Sequence, residues 1–279
     1  MQNQIVQHNH EKIFMDNLIT EIPRTSRVVV LAPHPDDEVF SCAGLLSLLR
    51  QQGAEISLQI LTDGSRGGDN SAGSLVATRM QESQHAAALL GLPAPVFWGI
   101  EDGCLAAEER LAQRLHALLV ETDVDLVIAP ALTELHPDHQ ALAFAALAAV
   151  VSTGGTCRAA FYELNMALPA PNLFIDITSL IGEKRAAMTC FVSQLKEQPY
   201  LERIDGLNRY RSYFLGTQTS HAEAFFFADA ASLAENPLLM LEGSLARAYR
   251  GWQLQYPQQI PSTDADELCA ELSALYSSR

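Results

Sequence analysis

Two short segments of the sequence combine histidine with aspartate at a spacing suited to metal chemistry. Residues 33–38 read Pro-His-Pro-Asp-Asp-Glu, and residues 136–139 read His-Pro-Asp-His. A catalytic zinc ion usually has three protein ligands, drawn from histidine and carboxylate side chains, and keeps one position for water. His34, Asp37 and His139 form a candidate set of this kind. A proline follows the first histidine of each segment and restricts the backbone there.

The same segments hold groups that a metal-dependent hydrolase needs besides its ligands. Asp36 is a candidate general base for an activated water, and His136 is a candidate donor to the oxyanion or the leaving amine. Asp138 can hydrogen-bond a histidine ring and fix its tautomer. A simpler interpretation stays open for each segment alone, because the aspartates could cap a helix and His34 could be a structural buried residue.

The elements around the two segments predict a sheet that would bring them together. Residues 27–32 and 125–129 are apolar runs typical of buried parallel strands, and each run leads into one of the histidine segments. Stretches with helical spacing alternate with the strands in this half of the chain. Ligands of such sheets bind beyond the carboxyl ends of the strands, so the placement of both segments favours a functional site.

The alternation predicts an α/β fold with a mostly parallel sheet, helices on both faces and a less regular C-terminal portion. Strands are expected at residues 27–32, 55–61, 95–98, 125–129, 159–164, 173–177 and 224–227. Helices are expected at residues 38–52, 75–90, 105–120, 138–151, 180–194, 202–215 and 265–276. We expect residues 1–279 to form a single domain, with a core at about 27–228 and a C-terminal extension at about 229–279.

The composition of the chain disfavours several classes of function. The chain has 279 residues, 18 Lys and Arg against 33 Asp and Glu, and a formal net charge of −15. This acidity disfavours a nucleic-acid partner. The longest apolar run, residues 141–151, is shorter than the ~20 residues of a membrane helix, so we expect no integral membrane segment. Five scattered cysteines without a CxxC pair, and no secretory pattern at the N-terminus, predict a cytoplasmic protein.

The two segments and their context resemble those of the PIG-L (LmbE-like) N-acetylglucosaminyl deacetylases. The resemblance spans roughly residues 28–227 and depends mainly on LAPHPDDEVFSCAG at residues 31–44 and LHPDHQAL at residues 135–142. Weaker support comes from residues 61–68, 79–82, 90–91, 99–103, 184–194 and 222–225. Glu134 stands where members of the family vary.

The resemblance implies a Rossmann-like fold and one divalent metal ion, with zinc as the expected ion and Fe²⁺ or Co²⁺ as alternatives. It implies removal of an N-acetyl group from an amino sugar or a GlcNAc-containing conjugate. It assigns the same three ligands, Asp36 as the base and His136 as the residue that stabilises the intermediate or protonates the amine. The expected partner is therefore a small N-acetylated sugar or glycoconjugate.

Two further residues enter only through the resemblance. Arg79 and Asp102 match positions that contact the sugar in some members of the family. Each also has a simpler interpretation, because Arg79 could pair with Glu82 on one helix face and Asp102 could be a turn residue before a glycine. Whether His221 lines the pocket is left open.

Other functions stay open at this point. An amidase on the same scaffold would act on a larger amide or a thiol conjugate. A non-catalytic metal- or sugar-binding module would not need both Asp36 and His136. A dinucleotide-binding protein is disfavoured, since neither a G-x-G-x-x-G fingerprint nor a P-loop follows the first strand. The oligomeric state is not readable, and a homo-oligomer is compatible with the sequence.

Overall fold

The computed structural model describes residues 18–68, 74–155, 157–236 and 240 of the chain. The strands are β1 (Arg27–Ala32), β2 (Glu55–Thr62), β3 (Val96–Ile100), β4 (Leu126–Pro130), β5 (Arg158–Tyr162), β6 (Leu173–Asp176) and β7 (Ala222–Asp229). The helices are α1 (Asp37–Gln51), α2 (Leu75–Leu89), α3 (Leu111–Glu121), α4 (Pro137–Ser152), α5 (Ile181–Met188), α6 (Val192–Glu197), α7 (Tyr200–Ser212) and α8 (Ala230–Glu235).

The strands form one seven-stranded sheet in the order β3-β2-β1-β4-β5-β7-β6. The first five strands in this order are parallel, with Val28 of β1 opposite Ile56 of β2 and Leu126 of β4. Strand β7 runs antiparallel to both of its neighbours. The expected mostly parallel α/β sheet is confirmed, and the strands of the less regular C-terminal portion extend the same sheet.

Each face of the sheet is covered by helices because alternate side chains of the central strands point to opposite sides. Val28 and Val30 of β1 pack with α1, α2, α5 and α7 in one apolar cluster. Val29 and Leu31 pack with α3, α4 and α8 in the other. The four β1 side chains are at most 1% exposed, which is typical of a strand buried on both faces.

Strands β1 and β4 lie side by side at the point where the order of strands reverses. From β1 the chain moves outward to β2 and β3, and it then returns to the other side of β1 as β4. Ligands of open α/β sheets bind at the carboxyl ends of strands at such a reversal. The two histidine segments follow β1 and β4 directly, so the topology places both of them there.

Two expected helices are interrupted. The stretch expected over residues 105–120 begins as a 3₁₀ turn, Leu105–Ala107, and the α-helix starts only at Leu111, after Arg110 with a left-handed φ of 62°. The stretch expected over residues 180–194 is divided between α5 and α6, with the buried Phe191 between them. A tertiary hydrogen bond lies near each break: the amide of Leu105 donates to Asp138 and that of Ser193 to Glu82.

Helix α1 is kinked at Cys42, whose φ and ψ of −136° and 19° are not helical. The amides of Gly44 and Leu45, just beyond the kink, donate to the carboxylate of Glu223 at 2.8 and 2.7 Å. Lys184 donates to the same carboxylate at 2.7 Å. A buried ion pair from α5 and β7 therefore caps the second half of α1.

The expected helix at residues 265–276, and most of the expected extension at 229–279, lie outside the described residues. Where the structure is described, no helix has both the length and the apolar character needed to cross a membrane.

Candidate active site

The carboxyl ends of the parallel strands carry the candidate residues on five adjacent loops. The first histidine segment follows β1, the loop of Gly64 and Arg66 follows β2, Asp102 follows β3, the second histidine segment follows β4, and Leu164 follows β5. Residues from all five loops line one cavity of about 510 Å³. The structure therefore brings the sequence-predicted residues to one place.

The three candidate metal ligands meet at one oxygen atom. Oδ2 of Asp37 lies 3.1 Å from Nδ1 of His34 and 3.2 Å from Nε2 of His139. All three residues are buried. Two imidazole nitrogens and a carboxylate thus converge as the candidate ligand set requires.

The second nitrogen of His34 faces two carboxylates. Its Nε2 lies 3.2 Å from Oδ1 of Asp102 and 3.3 Å from Oδ2 of Asp138. Asp138 is itself held by the amides of Gly103 and Leu105 at 2.6 and 3.0 Å. A proton on Nε2 has acceptors there, which leaves the Nδ1 lone pair of His34 free on the Asp37 side. The expected contact of Asp138 with a histidine ring is present.

The second nitrogen of His139 has a different environment. Its Nδ1 is buried and makes no hydrogen bond within the described part of the chain. Oε2 of Glu134 lies 3.5 Å from it, at the edge of hydrogen-bond distance. Glu134 is fully buried. The sequence analysis assigned no role to Glu134. Its position two residues before the second histidine segment was the only feature of the sequence that could have indicated a place at the site.

These donors fit a divalent ion. One ring nitrogen each from His34, His136 and His139 can lie within 4.8 Å of one another, and so can donor atoms of His34, Asp102, His136 and Asp138. Asp37 belongs to neither group, although its oxygen contacts two of the rings. Imidazole and carboxylate donors of this kind suit zinc and neighbouring transition metals.

Asp37 and the two histidines beside it shift one another's pKa values. Burial alone would raise the pKa of Asp37, but His139 and His34 outweigh it and hold this pKa well below its usual range. Burial acts to lower the pKa values of the two histidines, yet both are raised: that of His34 by hydrogen bonds to Asp102, Asp138 and Asp37, and that of His139 by Asp37. The carboxylate of Asp37 therefore stays ionised between the two imidazole rings.

Asp36 occupies a strained position beside this cluster. Its φ of 144° is unusual for a residue other than glycine. The side chain is buried, and Oδ2 accepts from Nη2 of Arg79 at 3.0 Å. Burial raises the pKa of Asp36 to about 7, against the opposing charge of Arg79. A strained, buried carboxylate with a pKa near neutrality is typical of a catalytic acid or base.

Arg79 holds Asp36 and the loop after β2. Besides Asp36, its guanidinium donates to the carbonyl oxygens of Gly64 and Pro35 at 2.9 and 3.1 Å. No bond within the described residues joins it to Glu82, which accepts from Ser193 instead. The simpler interpretation of Arg79 as a partner of Glu82 is therefore wrong. Arg79 also lines the cavity.

His136 stands at the start of α4 with one nitrogen engaged. Its Nδ1 accepts from the amide of Asp138 at 3.2 Å. The neutral ring then carries its proton on Nε2, where it can be donated. Burial, together with the charges of His34 and His139, lowers the pKa of His136 and favours this neutral form. The His136 ring contacts the His34 ring edge-on, with centroids 4.7 Å apart.

The remaining candidates differ in their relation to the cavity. Asp102 lines it, accepts from the amide of Arg66 at 3.0 Å, and has a pKa of about 2 because its contacts with His34 outweigh burial. His221 is not among the described residues that line the cavity. It lies 2.9 Å from the hydroxyl of Ser220 and 3.3 Å from Asp205.

Part of this chain is similar to known proteins. Residues 29–150 match the family model described as PIG-L, GlcNAc-PI de-N-acetylase. A diacetylchitobiose deacetylase of Thermococcus kodakarensis is 25% identical over 206 residues, which cover 64% of this chain and 76% of that protein. A probable N-acetyl-alpha-D-glucosaminyl L-malate deacetylase 2 of Bacillus anthracis is 27% identical over 185 residues, covering 60% and 80%.

The fold is also found in known structures. The N,N'-diacetylchitobiose deacetylase of Pyrococcus horikoshii, determined with an inhibitor, superposes with a TM-score of 0.69 at 23% identity. The superposition covers 84% of this chain and 97% of that one. The family match includes both histidine segments, Asp36 and Arg79, and the shared fold extends beyond it. Residues 29–150 of this chain, which carry the site, therefore match the PIG-L (LmbE-like) family model.

Proposed function

We propose that this protein is a metal-dependent hydrolase that removes the N-acetyl group from an amino sugar or a GlcNAc-containing conjugate. The observation that carries the proposal is the placement of Asp36. This strained, buried carboxylate adjoins the converging side chains of His34, Asp37 and His139 and opens into the same cavity as they do. A general base beside a three-ligand centre is the arrangement that metal-assisted amide hydrolysis needs.

His34, Asp37 and His139 would hold the ion, and we propose zinc. When bound, such an ion lowers the pKa of water and polarises an acyl oxygen. Asp102 and Asp138 accept from Nε2 of His34 and so orient its ring.

Asp36 takes the proton from the attacking water as the water oxygen adds to the acetyl carbon. Its pKa of about 7 suits both accepting this proton and returning it near neutral pH. Arg79 fixes the carboxylate of Asp36 during both steps. His136 donates from Nε2 to the acetyl oxygen as negative charge develops there, an interaction worth ~3 kcal/mol. The proton on Asp36 then passes to the amine nitrogen as the C–N bond breaks, and acetate and the free amine are released.

The substrate class follows from the relatives and the cavity. The relatives named above are a diacetylchitobiose deacetylase and a probable N-acetyl-alpha-D-glucosaminyl L-malate deacetylase. A cavity of about 510 Å³ accommodates a small glycoconjugate. Asp102 and Arg79 border it and are the proposed sugar contacts. The free cysteines Cys42, Cys104, Cys157 and Cys190 support a cytoplasmic location.

The deciding experiment is metal analysis combined with a panel of N-acetylated sugars and conjugates, with the free amine measured. We expect turnover on at least one acetamide, with acetate and amine formed in equal amounts. Turnover confined to larger amides or thiol conjugates would favour the amidase alternative. Bound metal without any turnover would favour a binding module.

Replacing Asp36 by alanine tests its role in the same assay. We expect kcat to fall by at least ~100-fold because the proton acceptor is lost, while metal content stays at the wild-type level. Substitution of the exposed Asp123 serves as a control and should leave kcat unchanged. A near-normal rate in Asp36→Ala would refute the assignment.

A further inference from the structure

We propose that Glu134 is a positioning residue that couples the metal ligand His139 to the loop at residues 164–166, which forms part of the cavity wall. This inference rests on the proposed metal centre. It assigns to one buried carboxylate two tasks: accepting the Nδ1 proton of His139 and holding the backbone of the loop after β5.

The contacts of Glu134 link two parts of the site. Its Oε1 accepts from the amides of Leu164 and Asn165 at 2.8 and 3.1 Å and lies 3.4 Å from that of Met166. Its Oε2 lies 3.3 Å from the amide of Asn165 and 3.5 Å from Nδ1 of His139. The carboxylate is fully buried, so these groups replace water as its partners.

The tautomer of His139 requires an acceptor at this place. Nε2 of His139 faces Asp37 and is the nitrogen available to a metal ion. A neutral ring that ligates through Nε2 carries its proton on Nδ1. That Nδ1 atom is buried and makes no hydrogen bond with any described residue, and the carboxylate beside it is Glu134. Carboxylates behind metal-ligating histidines orient the ring and raise its basicity.

The loop held by Glu134 belongs to the space where a substrate would lie. Leu164 and Asn165 line the same cavity as His139 and Asp36. Their amides lie about thirty residues along the chain from Glu134, so the carboxylate is a tertiary tie between two loops. A shift of Glu134 would move both a ligand and a cavity wall.

A second buried glutamate provides a matched control. Glu223 is 1% exposed and accepts from two backbone amides, those of Gly44 and Leu45, as Glu134 does from its loop. Its hydrogen-bond partners, Gly44, Leu45 and Lys184, include none of the candidate metal ligands. Glu134→Gln and Glu223→Gln therefore both remove a buried carboxylate charge. Glu223→Gln also leaves Lys184 without its partner, so it is the harsher change to the fold, but only Glu134→Gln alters the environment of His139.

The first measurement is Zn²⁺ affinity, determined by competition with a chromophoric chelator. We expect Glu134→Gln to weaken Zn²⁺ binding by ~10–100-fold, the range known for such outer partners, and Glu223→Gln to change it less than twofold. If Glu134→Gln binds Zn²⁺ within twofold of wild type, or if both variants weaken binding equally, the proposal is overturned.

The second measurement is hydrogen exchange at the amides of residues 164–166 in the wild-type chain. Addition of Zn²⁺ should slow their exchange more than that of the amides of Gly44 and Leu45, because only the first set shares its acceptor with a ligand. Equal slowing of both sets, or none, would contradict the coupling. This measurement needs no variant to fold, and neither experiment requires turnover, so failure of the deacetylase proposal would be distinguished from failure of this one.

Discussion

Arg79 reaches Asp36 only because two glycines leave room for its guanidinium group. A Cβ atom at Gly64 would lie 2.7 Å from Nη1 of Arg79, and a Cβ atom at Gly67 would overlap the same nitrogen. The side chain of Arg79 cannot move aside without losing its bonds to Asp36 and two carbonyl groups. The glycines of the loop after β2 are therefore needed for the proposed catalytic arrangement, although they carry no chemistry themselves.

Gly67→Ala tests whether this glycine must leave room for Arg79, because the change adds a single methyl group. We expect kcat on the substrate identified by the panel to fall by about 100-fold, because displacement of Arg79 releases Asp36 from its working position. Gly206→Ala is the control, since a Cβ atom there meets nothing within 4 Å and favours the helix. Wild-type kcat in Gly67→Ala would show that Arg79 does not position the base.

At the scale of elements, the kink in α1 depends on two other elements. Glu223 of β7 caps the second half of α1, and Lys184 of α5 neutralises the charge of Glu223. Both side chains are at most 1% exposed. The residues at the start of α1, including Asp37, follow β1 directly and precede the kink at Cys42. Lys184 and Glu223 come from residues 184–194 and 222–225, two stretches that gave only weak support to the family resemblance.

Lys184→Met should destabilise the fold strongly. Removal of the cation leaves an unpaired buried carboxylate, which costs about 3–5 kcal/mol of unfolding free energy, measurable by urea denaturation. The neighbouring Arg185→Met breaks an exposed pair with Asp205 and should cost less than about 1 kcal/mol. Equal losses of unfolding free energy in the two variants would show that the Lys184–Glu223 ion pair does not stabilise the fold more than an exposed pair does.

At the scale of the whole molecule, the sheet carries an apolar cluster on each face. Cys42 belongs to one cluster and Cys157 to the other, and the two thiols are at most 1% exposed. Burial raises the pKa of Cys157 to about 11 and that of Cys42 well above its usual value. Both thiols are therefore inert in the native state, and each reports the opening of one face.

Thiol labelling in increasing urea tests whether residues 1–279 fold as a single domain, which stays a prediction. Because both clusters pack on the same sheet, we expect Cys42 and Cys157 to become reactive at the same urea concentration, as judged by mass spectrometry of labelled peptides. The partly exposed Cys104 and Cys190 should react without urea and serve as controls. Separate midpoints for Cys42 and Cys157 would indicate two folding units.

Local patterns in the sequence determined the strand at residues 27–32, the parallel sheet and the two histidine segments. These features are encoded by residues close together in the chain, because hydrophobic periodicity and turn residues can be identified within a short stretch of sequence. The placement of both segments at the carboxyl ends of strands then followed from topology. The strand at 27–32 has the predicted bounds, and the helices expected at 38–52 and 138–151 differ from α1 and α4 by one residue at each end.

Tertiary structure alone decided how those residues are held. Arg79 binds Asp36, 43 positions away, and not Glu82 on its own helix, while Glu82 binds Ser193 at a separation of 111 residues. The kink in α1, the division of α5 from α6 and the place of Glu134 behind His139 depend on similar distant partners. A buried polar group must find its partner wherever the fold supplies one, and the local sequence does not carry that information.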